Sequence, residues 1–130
     1  MTQRNHFFPL PNEIFSLGLT TGKISVYAYL MFCEDRETYQ CYPSYKTIGK
    51  ALQMSTNTVR KYISSLREKR LIVTEPTEII TKDNRKRNGS LLYTILPIEN
   101  AMPFYFDEQM RRNAEILRKQ KIEKQLRDLA

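Results

Sequence analysis

The chain has 130 residues, 41% of them hydrophobic and 27% charged, and a net charge of +7. That length suits one domain around a single core, and that mixture is globular rather than disordered. One histidine and two cysteines, Cys33 and Cys41, provide neither a metal-ligand set nor a disulfide framework, so no metal or other cofactor is expected.

The charge is unevenly placed. Residues 46–87 hold eleven Lys or Arg against four acids, whereas residues 1–45 sum to −1 and residues 88–130 to +1. A basic excess confined to one internal third is the footprint of a face that meets a polyanion, because a charge serving only solubility would be spread evenly.

In chain order, residues 1–8 carry no apolar stretch followed by a small-residue cleavage site, which predicts a cytoplasmic protein. Behind Pro9 and Pro11 a short helical turn is expected at residues 12–17, ended by Gly18. Thr20 or Thr21 caps a helix running to Cys33 or Glu34. It is apolar on most faces through Ile24, Val26, Tyr27, Tyr29, Leu30, Met31 and Phe32, so it belongs in the middle of a small core. Its apolar run is about half of what a bilayer crossing needs, and no membrane contact is expected. Residues 34–40 read as a polar loop, and Cys41 with Tyr42 as a short strand before Pro43.

Ser44 is an N-cap for a helix through Leu52. Gln53, Met54 and Ser55 make a turn, and a longer helix follows to about Lys69, with Ser55 or Thr56 as cap and apolar spacing through Val59, Tyr62, Ile63 and Leu66. The period then becomes extended. Residues 71–75 and 91–96 are β-branched or aromatic, and residues 82–89 between them are polar, basic and turn-forming, which predicts a β-hairpin with a long basic tip. Past Pro97 and Pro103, residues 107–129 form a highly charged helix.

Residues 47–66, TIGKALQMSTNTVRKYISSL, meet the packing demands of a helix-turn-helix. Gly49 is the small residue where the helices cross, and Ile48, Leu52, Met54, Val59 and Tyr62 are the apolar ones. Gln53 holds the turn position where glycine is usual because the backbone is left-handed there, at a cost of about 1 kcal/mol.

The stretch MSTNTVRKYISSLREKRLI resembles the second helix and strand start of bacterial winged helix-turn-helix proteins, including GntR-like and MarR-like regulators. The longer stretch from Leu19 to Ile72, with CYPSYKTIGKAL in its middle, is similar to the helix-turn-helix domain of phage and plasmid replication proteins and of mobile-element regulators. The resemblance covers about residues 10–97. It implies a mainly α fold with a small β-hairpin (α+β): a winged helix-turn-helix DNA-binding domain in residues 1–97, then an extension, residues 98–130, with a long amphipathic C-terminal helix. Such families often carry glycine before the strand. Arg70 stands there, so the helix exit should be strained or differently shaped.

Projected at about 100° per residue, Val59, Tyr62, Ile63 and Leu66 cluster on one side of the recognition helix, residues 55–69. Asn57, Lys61, Ser64 and Glu68 lie opposite, with Arg60 and Ser65 flanking. A small, polar or basic face suits insertion into a major groove about 12 Å wide. Base reading is expected of Asn57, Arg60 and Lys61, with Thr56 and Ser64 contacting bases or phosphates, while Glu68 stays off the backbone or accepts from cytosine. Backbone contacts are expected from Ser44, Tyr45, Lys46, Ser55 and Thr58. In the basic wing, residues 82–90, Lys82, Arg85, Lys86 and Arg87 reach the adjacent minor groove or backbone.

Phe7, Phe8, Phe104, Tyr105 and Phe106 are expected to dock onto the core. In the last helix Met110, Ala114 and Leu117 share one face, and Ile122, Leu126 and Leu129 share another about 120° away. The first stripe should pack on the domain or a partner subunit, leaving the second for a dimer contact. A homodimer would set two recognition helices a helical turn apart, and the alternative is a monomer whose tail recruits another protein. No acid–base pair, activated nucleophile or phosphate loop is legible, so no enzyme is expected. Three functions follow: a transcriptional regulator on double-stranded DNA; a replication initiation or accessory protein of a plasmid, phage or conjugative element that engages the replication machinery; or a winged-helix protein-interaction module.

Overall fold

The computed structural model describes residues 6–80 and 82–129 and, at Ile79, Lys86, Arg87 and Asn88, the backbone alone. The leader reading at residues 1–5 and the side-chain contacts expected of Lys86 and Arg87 therefore lie outside the described residues. A tight helical turn, Asn12–Ser16, buries Ile14, and the chain reverses at Gly18, whose φ is +69°. Helix α1 (Thr21–Cys33) follows. Thr20 holds the N-cap backbone position without a side-chain capping bond. Val26, Tyr27 and Leu30 are buried, whereas Phe32 is 49% exposed and meets Phe8 at a ring separation of 6.1 Å. Of the thirteen residues of the helix only Val26, Tyr27 and Leu30 are buried, so it lies along one side of the core rather than through its middle.

Strand β1 (Gln40–Cys41) begins one residue earlier than expected and leaves Tyr42 exposed. Helices α2 (Tyr45–Leu52) and α3 (Thr56–Glu68) come next, then strands β2 (Ile72–Glu75), β3 (Glu78–Ile80), β4 (Lys86–Asn88) and β5 (Leu92–Ile95). A three-stranded antiparallel sheet runs in the order β1-β5-β2, with Cys41 opposite Tyr93 and Ile72 opposite Ile95. The core joins Val26, Tyr27 and Leu30 of α1, Ile48 of α2, and Val59, Ile63 and Leu66 of α3 to Leu71, Ile72, Tyr93 and Ile95 at the sheet. Each such aliphatic side chain contributes about 1.5–3 kcal/mol on burial.

The expected hairpin is present, but its tip is not one long turn. Beyond Pro76 the strands β3 and β4 pair as a second antiparallel ribbon, Glu78 opposite Asn88 and Ile80 opposite Lys86. Proline has no N–H for a ladder bond, so pairing stops at Pro76 and resumes where the Gly89 N–H donates to the Thr77 carbonyl at 2.7 Å. The Thr77 hydroxyl donates to the Ser90 carbonyl.

Helix α4 (Ala101–Asp128) starts six residues before the expected position. Pro103 lies in its first turn, where a backbone N–H has no intrahelical acceptor, so the ring costs nothing there. Ile98 and Ala101 are buried, and Met102 and Tyr105 pack against the core. Phe7 and Phe106 stay exposed, so the terminal aromatics dock only in part. From Met110 to Leu129 every residue is exposed. Met110 and Leu117 are 56% and 66% exposed, so that stripe does not pack on the domain: the helix leaves the core before reaching it. Among the described residues, no helix is long and apolar enough to cross a membrane.

Candidate nucleic-acid interface

Both helices of the central motif open with the same local pattern, Ser-x-x-Thr. Ser44 Oγ accepts from the Thr47 N–H at 3.1 Å, and Ser55 Oγ accepts from the Thr58 N–H at 3.2 Å. In each pair the two hydroxyl oxygens are 2.9 Å apart. One hydroxyl hydrogen is spent between them, which leaves the other for an outside acceptor. Neither helix has an acid in its first turn, so both N-termini present their positive ends unopposed. Thr47 was not singled out by the sequence reading, although the repeated pattern carries its signal.

The turn between α2 and α3 explains Gly49. A Cβ there would stand 2.6 Å from the Met54 carbonyl oxygen and 3.7 Å from Val59 Cγ2, so the closest approach is to the turn backbone rather than to the facing helix. Gln53 is left-handed, with φ 57° and ψ 48°, and the Met54 N–H donates to the Gly49 carbonyl at 2.9 Å. Gly22 of α1 plays the matching part on the other side: a Cβ would fall 2.4 Å from the Tyr62 ring. That glycine went unnoticed in the sequence because its partner is forty residues away.

With Val59, Ile63 and Leu66 turned inward, the free side of α3 carries Asn57, Arg60, Lys61, Ser64, Ser65 and Glu68, which line one shallow open hollow of about 470 Å³. Asn57, Arg60, Lys61 and Glu68 are exposed, Ser64 and Ser65 half-buried, and Thr56 is exposed at the start of the helix. Lys46 is exposed in the first turn of α2. Tyr45 is half-buried against the core edge, and the Arg60 guanidinium lies 5.8 Å from its ring centroid. At the far end Arg67 Nη1 donates to Thr74 Oγ1 at 3.1 Å, fastening α3 to β2. Lys82 and Arg85 are exposed at the tip of the second ribbon, where Asn84 takes a left-handed φ of 60°.

The exit from α3 has the shape that glycine would give, built without it. The Leu71 N–H donates to the Leu66 carbonyl and the Arg70 N–H to the Arg67 carbonyl, both at 3.1 Å. This double closure is the Schellman motif, with Arg70 at φ 61° in the left-handed position. Its guanidinium lies 4.7 Å from the centroid of the Phe104 ring of α4. The expectation of strain at Arg70 therefore holds at the backbone, and the cation–π contact offsets part of it.

Residues 17–72 match the family model of a helix-turn-helix domain. With the three-stranded sheet and the second ribbon behind it, the fold is that of a winged helix-turn-helix. Among solved structures, this winged domain is similar to a possible transcriptional regulator from Methanosarcina mazei, at 18% identity and a TM-score of 0.50, over 81% of this chain and 82% of that one. It is also similar to MepR of S. aureus, solved as a DNA complex, at 18% identity and a TM-score of 0.44 over 88% of this chain and 86% of that one. ZitR of Lactococcus lactis, solved in complex with DNA, is 19% identical with a TM-score of 0.41, over 92% of this chain and 70% of that one. At 18% identity the first of these likenesses is one of fold alone. No curated protein matches the chain.

Away from the winged helix face lies a small buried polar group. Glu34, at the end of α1, is buried with one carboxylate oxygen lacking a hydrogen-bond partner among the described residues. Burial raises its pKa above the ordinary carboxylate value, against a smaller lowering by Arg36. Burial, followed by Cys33 and Glu34, pushes the Cys41 thiol up to about 12, so it stays protonated, and it donates to the Leu30 carbonyl at 3.5 Å. No group of three His, Cys, Asp or Glu among the described residues is placed to hold a metal ion.

Proposed function

We propose that the chain is a sequence-specific double-stranded DNA-binding protein that regulates transcription. The observation that carries this reading is the free side of α3: the side that the core leaves open is polar and basic through Asn57, Arg60 and Lys61. A helix so exposed fits a major groove, with Asn57, Arg60 and Lys61 reading bases and Thr56 and Ser64 contacting bases or phosphates. Ser44, Lys46, Ser55 and Thr58 hold one backbone, and Tyr45 lies at its edge. Lys82, Arg85, Lys86 and Arg87 hold the neighbouring minor groove or backbone.

The protein has no catalytic role in this reading, and residues 98–130 join two copies whose α3 helices read half-sites a helical turn apart. Regulation is favoured over replication by the similar fold of a possible transcriptional regulator. The test is a titration of duplex DNA against salt. Affinity is expected to fall steeply as salt rises, each neutralised phosphate adding about −0.9 to the log–log slope. A flat response overturns DNA binding and leaves the domain as a protein-interaction module.

A further inference from the structure

We propose that Tyr45 is a positioning residue for base recognition: its ring holds the Arg60 guanidinium at the edge of the α3 face, where the arginine meets a guanine. The inference rests on the DNA-binding reading and adds to it a residue and a base. Tyr45 opens α2 and Arg60 lies in the second turn of α3, so the contact spans the two helices of the motif. At 5.8 Å from the centroid the cation is within the roughly 6 Å range of a cation–π attraction.

The ring does not follow the arginine, because it packs against the core. After burial, Tyr45 and then Cys41 push the buried Tyr93 hydroxyl far above its ordinary value. An exposed arginine otherwise samples many rotamers and loses that freedom on binding. A ring fixed beneath it removes part of the loss beforehand.

The chemistry selects the base. An attraction to a ring face leaves the guanidinium N–H donors available, and their planar fork matches the paired acceptors of guanine O6 and N7. Lysine at position 60 would keep the charge and lose the fork. The other role open to Tyr45 is donation from its hydroxyl to a phosphate, and Tyr45→Phe separates the two because it removes the hydroxyl and keeps the ring.

The test uses the full chain and a preferred duplex selected from a random pool, with each base pair replaced in turn. Tyr45→Leu is expected to lower discrimination roughly two- to fivefold at the one G·C pair where Arg60→Ala also loses it. Binding to an unrelated duplex and the salt slope should not change. Tyr45→Phe should behave as the parent, and Tyr45→Leu should add nothing in an Arg60→Ala background.

Unchanged discrimination in Tyr45→Leu overturns the proposal. So does a Tyr45→Phe variant that binds every duplex, preferred and unrelated, more weakly by the same factor, which would assign the hydroxyl to a phosphate. Should Tyr45→Leu fail to fold, NMR of the free parent chain and of Tyr45→Phe decides: Arg60 side-chain protons shifted upfield by the ring support the contact, and unshifted protons overturn it. A parent chain that binds no duplex overturns the DNA reading and the base-reading role with it, even where the ring shift persists.

Discussion

Gln53 and Arg70 close the two helices of the motif in the same way, each left-handed at the position after the last turn, with φ of 57° and 61°. An L-residue there costs about 1–2 kcal/mol, which glycine avoids at some entropic cost to the unfolded chain. Gln53→Gly is therefore expected to stabilise the domain by about 0.5–1 kcal/mol, a gain visible as a rise of a few degrees in Tm. Arg70→Gly should gain less, since it also gives up the Phe104 contact. A Tm lowered by Gln53→Gly would show that the amide side chain compensates the backbone.

Glu34 makes a prediction of opposite character. Its folded pKa is raised, so the folded protein holds that proton more tightly than the unfolded chain. Its contribution to stability is complete below the ordinary value of 4.5 and is lost as pH rises through the folded value. Glu34→Gln removes this loss. Urea melts of the two proteins at a series of pH values should agree near pH 4 and diverge toward pH 7, with the glutamine variant the more stable; parallel curves would mean that the carboxylate is satisfied by water.

At the level of elements, the helix-turn-helix was legible because its geometry is local. A small residue, a turn and apolar positions at helical spacing lie within one short stretch, and Gly49 was picked out with its neighbours. The structure corrects only what Gly49 faces, a carbonyl rather than a helix. Gly49→Ala should accordingly open the turn, costing about 1–3 kcal/mol in denaturant melts and weakening every duplex. An alanine variant of parental stability would mean that the Met54 peptide shifts freely.

The remainder depends on distant partners. The β3–β4 ribbon was missed because Lys86, Arg87 and Asn88 read as turn residues, and only their alignment with residues 78–80 makes them a strand. The early start of α4 was missed because Pro103 reads as a breaker unless its place in the first turn is known. Of the candidate site, the outward residues of α3 followed from periodicity alone. The seat of Arg60 on Tyr45 did not, because it is side-chain geometry, and Thr47 was passed over although the Ser-x-x-Thr pattern it shares with Thr58 carries its signal.

For the whole molecule, the decisive feature is that α4 is 28 residues long and rests on the core only at its start. It spans about 42 Å. Asp107, Arg111, Glu115, Lys119, Glu123 and Arg127 alternate in sign at every fourth residue, three of the pairs with the acid placed first. Each such pair favours an isolated helix by about 0.2–0.5 kcal/mol, so the projecting part has support of its own. Its apolar residues Ile122 and Leu126 are free for a second copy. In sedimentation the full chain is expected to be a dimer, and Ile122→Lys combined with Leu126→Lys a monomer with unchanged domain Tm. A variant that still sediments as a dimer would move the interface elsewhere.

The contact between Arg70 and Phe104 then acquires a mechanical meaning. One residue ends the α3 turn with its backbone and clasps the base of α4 with its side chain. In a dimer joined through α4, that clasp is the elbow of each arm: its angle sets how far apart the two α3 helices are held, and with it the spacing of half-sites the pair can straddle.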